Sequence, residues 1–140
     1  MIKKNLLTAF LIIFFLTACD TPEEKYENHI ERGHAYYENQ DYSKARLEYK
    51  NAAQLRPSDH QVIYYLGLVE EAEGNLQKAL SAYLTAERQK TDYVPTLLKI
   101  AEFHLTGGII DEASTRIDKI LELDPDNASA HALKASILLA

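Results

Sequence analysis

The chain has 140 residues, with 15 Lys and Arg against 21 Asp and Glu and a formal net charge of −6. That length suits one domain, and the acidic balance disfavours phosphate-backbone partners, so no nucleic acid is expected. A single cysteine, Cys19, excludes an intramolecular disulfide and leaves the fold to stand on its core.

Lys3 and Lys4 precede an apolar run from Leu6 to Ala18. This charged start with a hydrophobic stretch too short for a comfortable membrane span makes residues 1–18 a cleaved secretory signal peptide. Without the two lysines, 13 basic residues face 21 acidic ones. The end of the segment, Leu16-Thr17-Ala18-Cys19, resembles the bacterial lipobox. That resemblance implies cleavage before Cys19 and a diacylglycerol on its thiol. Bulky Leu16 argues against an ordinary signal peptidase, which wants small residues there. Multiple acyl chains give stable membrane attachment, at about 0.8 kcal/mol per buried methylene. Asp20 resembles an inner-membrane retention signal, so the expected location is the bacterial envelope, facing the periplasm, with the inner membrane favoured. No cofactor beyond this lipid is expected.

Residues 19–25 form a short lead-in. Thr21-Pro22-Glu23-Glu24 has the order of a capping box with Pro at the first helical position, so a first helix is expected to run to about Glu38. Asp41 caps a second helix, Tyr42 to about Leu55. Ser58 and Gln61 form the next capping box, opening a third helix from Asp59 to about Ala72 with Val62, Ile63, Leu66 and Val69 at helical spacing. Gly74-Asn75 closes it and caps a fourth, Leu76 to about Gln89. Thr91 and Asp92 start a fifth, with Pro95 in its first turn, running to about Leu105. Gly107-Gly108 predicts a looser, more mobile corner, because Ile109 stands where Asp41 and Asn75 supply caps. A sixth helix spans Ile110 to about Leu123, and Asp124-Pro125-Asp126-Asn127 separates it from a seventh, Ala128 to Ala140.

These helices repeat. A shift of 34 residues carries Gly33 to Gly67, Ala45 to Ala79, Tyr49 to Tyr83 and Ala52 to Ala86; a second shift reaches Ala101, Ala113 and, from Pro57, Pro125. Small residues at fixed phases let two antiparallel helices approach, with Gly33 and Ala45 expected to meet inside the first unit. The order Gly33, Tyr36, Ala45, Tyr49, Ala52, Pro57 resembles the tetratricopeptide repeat. The resemblance implies an all-α solenoid of helix-turn-helix units stacked as a right-handed superhelix: units 26–59, 60–93 and 94–127, then 128–140 as a half repeat or capping helix. The apolar ending Ile137-Leu138-Leu139 fits the front of a longer solenoid better than a cap.

No enzyme is expected. His34 and Glu38 share a helix face, but further metal ligands are missing, so no metal site is expected either. His29 and His131 fall on one phase of the grid, and His104 replaces a packing aromatic. Binding fits better. Successive first helices line the concave face of such a solenoid, where Ile30, Tyr64 and Leu98 form one row and His34, Leu68 and Glu102 another. Tyr37 belongs to a third row, with Glu71 and Leu105; Glu31, Tyr65 and Lys99 form a fourth. This groove suits a protein or peptide partner. Some repeats of this class clamp a partner's terminal carboxylate, but of the matching positions Ile30, His34, Tyr65, Pro95 and Lys99 only Lys99 fits.

The lipobox together with Glu23-Glu24-Lys25 and Glu31-Arg32-Gly33 resembles the tetratricopeptide lipoproteins found with exosortase (PEP-CTERM) and exopolysaccharide systems. The expected function is a membrane-anchored interaction scaffold of an envelope assembly, concerned with exopolysaccharide or protein sorting. Alternatives are an assembly lipoprotein for a pilus, secretin or outer-membrane machine, and an accessory region of a longer protein with its own catalytic domain.

Overall fold

The computed structural model describes residues 21–139; Cys19 and Asp20, with the lipidation and membrane readings they carry, lie outside the described residues. Seven helices follow: α1 (Pro22–Glu38), α2 (Tyr42–Leu55), α3 (His60–Ala72), α4 (Leu76–Gln89), α5 (Val94–Thr106), α6 (Ile110–Leu123) and α7 (Ala128–Leu138). Each packs on the next, and α5 also touches α7, the pattern of stacked helix pairs. Among the described residues there is no strand, and no helix is long and apolar enough to cross a membrane.

Local chemistry sets the helix ends. Thr21 and Glu24 close the expected capping box reciprocally, at 3.1 and 2.7 Å. Asp41 accepts from the Lys44 amide as the cap of α2. At α3 the structure corrects the sequence reading: the cap is Asp59, not Ser58, and its carboxylate accepts from the Gln61 amide at 2.8 Å. An ionised carboxylate at a helix N-terminus is favoured over a hydroxyl by the helix dipole. At α5 neither Thr91 nor Asp92 caps; the helix starts at Val94, behind Tyr93, with Pro95 in its first turn.

The glycine corner before α6 is also not looser in geometry. Gln40, Gly74 and Gly108 all take left-handed backbone, with φ of 61°, 79° and 73°. Each corner closes with the same two bonds: Gly108 N–H to the Leu105 carbonyl and Ile109 N–H to the His104 carbonyl repeat those of Gln40 with Asp41 and Gly74 with Asn75. Backbone carbonyls of the preceding helix close each corner, so the side chain at position 109 is not needed for it.

The close approach inside each unit also differs from expectation. The atoms nearest to a Cβ on Gly33 belong to the Tyr49 ring rather than to Ala45, and a Cβ on Gly67 would lie 2.5 Å from Tyr83. In the third unit the same two places hold Ala101 and Ile117, both fully buried. Glycine is therefore present where a tyrosine ring fills the space of a Cβ, and alanine where the ring is absent.

Junctions between units use changing chemistry. The Tyr26 hydroxyl donates to Asp59 at 2.8 Å, with the Arg56 guanidinium 3.8 Å above the Tyr26 ring. One repeat on, the places of Tyr26 and Asp59 hold His60 and Tyr93, whose rings meet edge to face at 4.7 Å. At the third junction the places hold Val94 and Asn127; Val94 packs on the core, and Asn127 caps α7 by accepting from the Ala130 amide.

Thr96 is fully buried at the start of α5, and its hydroxyl finds no hydrogen-bond partner among the described residues. The place one repeat earlier holds Val62, equally buried. Thr96→Val is expected to raise stability by about 1 kcal/mol, by removing an unsatisfied buried hydroxyl at nearly constant shape. The urea midpoint checks it, and a lowered midpoint would show that the hydroxyl has a partner.

Candidate functional site

The first helices of the three units, α1, α3 and α5, meet through side chains that include members of the predicted rows, His34 with Tyr65 and Lys99 with Glu71. All nine predicted groove residues, Ile30, His34, Tyr37, Tyr64, Tyr65, Leu68, Leu98, Lys99 and Glu102, are half-buried. Each keeps one edge on the packed core and one in solvent.

A chain of rings forms the middle of the surface. His34 meets Tyr65 edge to face at 4.5 Å and shares a 3.0 Å hydrogen bond between its Nδ1 and the Tyr49 hydroxyl. His34 is thus engaged by aromatic neighbours at its Nδ1 and at its ring. Tyr65 stacks on Tyr49 at 5.3 Å, and Tyr64 lies within 6 Å of Tyr65, Tyr83 and Tyr93. Tyr64 and Tyr65 therefore hold units together as well as facing outward, a double role that spacing alone did not show. Burial pushes the Tyr64 phenol up to about 12, so it stays a hydrogen-bond donor at any physiological pH.

The apolar members belong to three successive core clusters. Ile30 and Tyr37 pack on the first, Leu68 on the second and Leu98 on the third. Tyr37 also leans on Tyr42 at 5.5 Å. Across the first helices the structure joins His34 to Tyr65 and Glu71 to Lys99, and the other row residues sit half-buried on their separate cores.

Beside the rings lies an ionic cluster. Glu71 accepts from the Tyr83 hydroxyl at 2.5 Å on one oxygen and from the Lys99 ammonium at 3.1 Å on the other. Lys99 also pairs with Glu102 at 3.3 Å. Burial opposes the charge on Lys99, but the two carboxylates outweigh it and hold its pKa above the ordinary value. Sequence reasoning placed Glu71 in a row but missed its importance, because its contacts to Tyr83 and Lys99 span 12 and 28 residues, off the 34-residue grid. Among the described residues no group of three or more His, Cys, Asp or Glu is gathered as a metal would require.

Helix pairs stacked in one direction, with the first helix of each pair lining a shared face, define a helical-repeat solenoid. The chain carries tetratricopeptide repeats: two family models, each described as tetratricopeptide repeat, match residues 30–94 and 70–137. The mouse Superkiller complex protein 3 is 28% identical over 76 residues, 54% of this chain and 5% of that protein. Its human counterpart is 27% identical over 97 residues, 64% of this chain. The chain spans only 6% of that human relative. Among solved structures, the Arabidopsis OM64 tetratricopeptide domain superposes with a TM-score of 0.74 at 20% identity, covering 84% of this chain and 97% of that one. The second such domain of human RPAP3, solved with the HSP70 peptide SGPTIEEVD, gives 0.71 at 15% identity, covering 84% and 98%. MamA gives 0.64 at 25% identity, covering 74% and 60%.

Proposed function

We propose that the chain is a non-catalytic adaptor that grips a peptide segment of a partner protein on its inner face, while a lipid on Cys19 holds it to the envelope membrane. The row of half-buried tyrosines and aliphatic tips carries this reading. Such side chains offer contact area and hydroxyl donors at little cost in rotamer freedom, because neighbouring rings already hold them. The solved relative with a bound HSP70 peptide supports peptide binding as a use of this fold. The lipobox at Leu16–Cys19 supports the anchor, and the acidic lead-in and the Glu31-Arg32-Gly33 start favour an exopolysaccharide or protein-sorting assembly. The partner is not expected to be an acidic chaperone tail, since Lys99 is already engaged by Glu71 and Glu102.

The test uses the full chain in detergent micelles and a displayed library of random peptides. Peptides that bind are expected to crosslink when a photoreactive phenylalanine replaces Tyr65, which keeps a ring in place, and not when it replaces Leu47, exposed on α2. A library yielding no binders, or equal crosslinking from both sites, would overturn the groove.

A further inference from the structure

At the corner edge of the inner face, the end of α3, the start of α4 and the last turn of α5 surround a cleft of about 430 Å³. Its lining is Glu71, Leu76, Glu102, Phe103, Thr106 and Gly107. Leu76 is 55% exposed, so its side chain is open to a ligand in the cleft. The Phe103 ring is fixed edge to face against Tyr83 at 5.8 Å, so the cleft has a rigid aromatic wall. Glu71 and Glu102 stand at the rim and share the single ammonium of Lys99.

We propose that this cleft receives a lysine or arginine side chain of the bound peptide; the inference rests on the peptide-groove reading above. Three independent features select a cation with a long apolar stem. Two carboxylates against one ammonium leave a net negative charge at the rim. The last turns of α3 and α5 bring the negative ends of two helix dipoles to the cleft, against the one positive end at the start of α4. Leu76 and Phe103 supply an apolar channel along which the methylenes of a basic side chain lie while its head reaches the carboxylates, and the ring face attracts a cation. A carboxylate-bearing side chain would meet Glu71 and Glu102 as like charges, and a purely aliphatic one would leave the rim charges without a new partner. A cleft of equal volume between α2, α3 and α4 lacks this complementarity, since Lys50 and Lys78 flank it beside Glu70.

The experiment follows backbone amide resonances of the full chain in micelles during titration with capped single amino acids. Acetylated, methylamidated arginine and lysine are expected to move the signals of Leu76, Phe103, Thr106 and Gly107, while the matching norleucine and glutamate derivatives leave them in place. Glu102→Lys is expected to weaken the arginine response at least tenfold and Glu102→Gln several-fold; Glu102 is 45% exposed, so both variants keep the fold. An identical response to all four derivatives, or an arginine response indifferent to both variants, would overturn the cleft. The two proposals fail separately. Library peptides that crosslink at position 65 yet lack basic residues and ignore Glu102→Lys would remove the cleft and leave the groove. A basic-residue response at Leu76 and Phe103 with no library binder would do the reverse.

Discussion

Gly67→Ala is expected to destabilise the protein by about 2 kcal/mol, the reverse of what helix propensity alone predicts. Alanine in a helix interior normally gains about 1 kcal/mol over glycine. Here the new methyl would sit 2.5 Å from Cε1 and 2.7 Å from Cδ1 of Tyr83. The ring has nowhere to go: it is fully buried, and Glu71 holds its hydroxyl. The sign depends on that ring, so a double-mutant cycle isolates the cause. In a Tyr83→Ile background, which copies the Ala101 and Ile117 pair of the third unit, Gly67→Ala is expected to cost nothing or to stabilise. Chemical denaturation of the four proteins decides it. Equal costs in both backgrounds would mean that the glycine serves something other than the ring.

Raising the pH above 10 is expected to unfold the chain in one transition, with tyrosinate absorbance and loss of helical circular dichroism moving together. Burial, first of all, raises the phenol pKa of Tyr26, Tyr37, Tyr49, Tyr64, Tyr65, Tyr83 and Tyr93. Hydrogen bonds to Asp59 and Glu71 add to it for Tyr26 and Tyr83. A folded-state pKa above the unfolded value of 10.0 means that the contribution to stability is complete below pH 10 and is lost as the pH rises beyond it. The three deepest rings, Tyr26, Tyr49 and Tyr83, each lose about 1.4 kcal/mol per pH unit there, so together they remove about 4 kcal/mol per unit. Set against a typical total of about 5–15 kcal/mol, that places the midpoint within a few units of pH 10. Tyr83→Phe is expected to make the loss less steep. Full tyrosinate absorbance with helicity intact would show that the rings ionise without unfolding.

The repeat was legible because its markers are short-range and steric. Gly33, Ala45, Tyr49 and Ala52 recur one period on, and in both of the first two units the glycine meets the same tyrosine ring. Which neighbour was not legible: Gly33 and Ala45 were paired as two small residues, whereas the structure sets a small residue against a large flat one. Helix starts were readable where one capping side chain dominates, as at Thr21 and Asp41. They shifted where candidates stand in line, as with Ser58 and Asp59, because charge at a helix end decides between them. The proposed groove rows were drawn from the period, but the ionic cluster could not be. Glu71, Tyr83 and Lys99 come from three helices at separations that are not multiples of the repeat, and only the stacked fold brings them together. Leu76 and Phe103 escaped for a similar reason, since neither carries a polar atom and each reads as ordinary helix filling.

The unequal junctions bear on how the stack yields to load. A hydrogen bond and a cation over a ring join the first two units, two rings join the next, and aliphatic packing, a cap and one half-exposed ion pair, Lys134 with Asp118, join the last. In a linear array whose cooperativity comes from nearest-neighbour coupling, the weakest coupling decides where a tear begins. Pulled or warmed, the described stack opens first at the junction of α6 with α7, and the aromatic middle of the groove outlasts it. A ligand lying across all units would then be released progressively, one contact zone at a time, rather than in a single event.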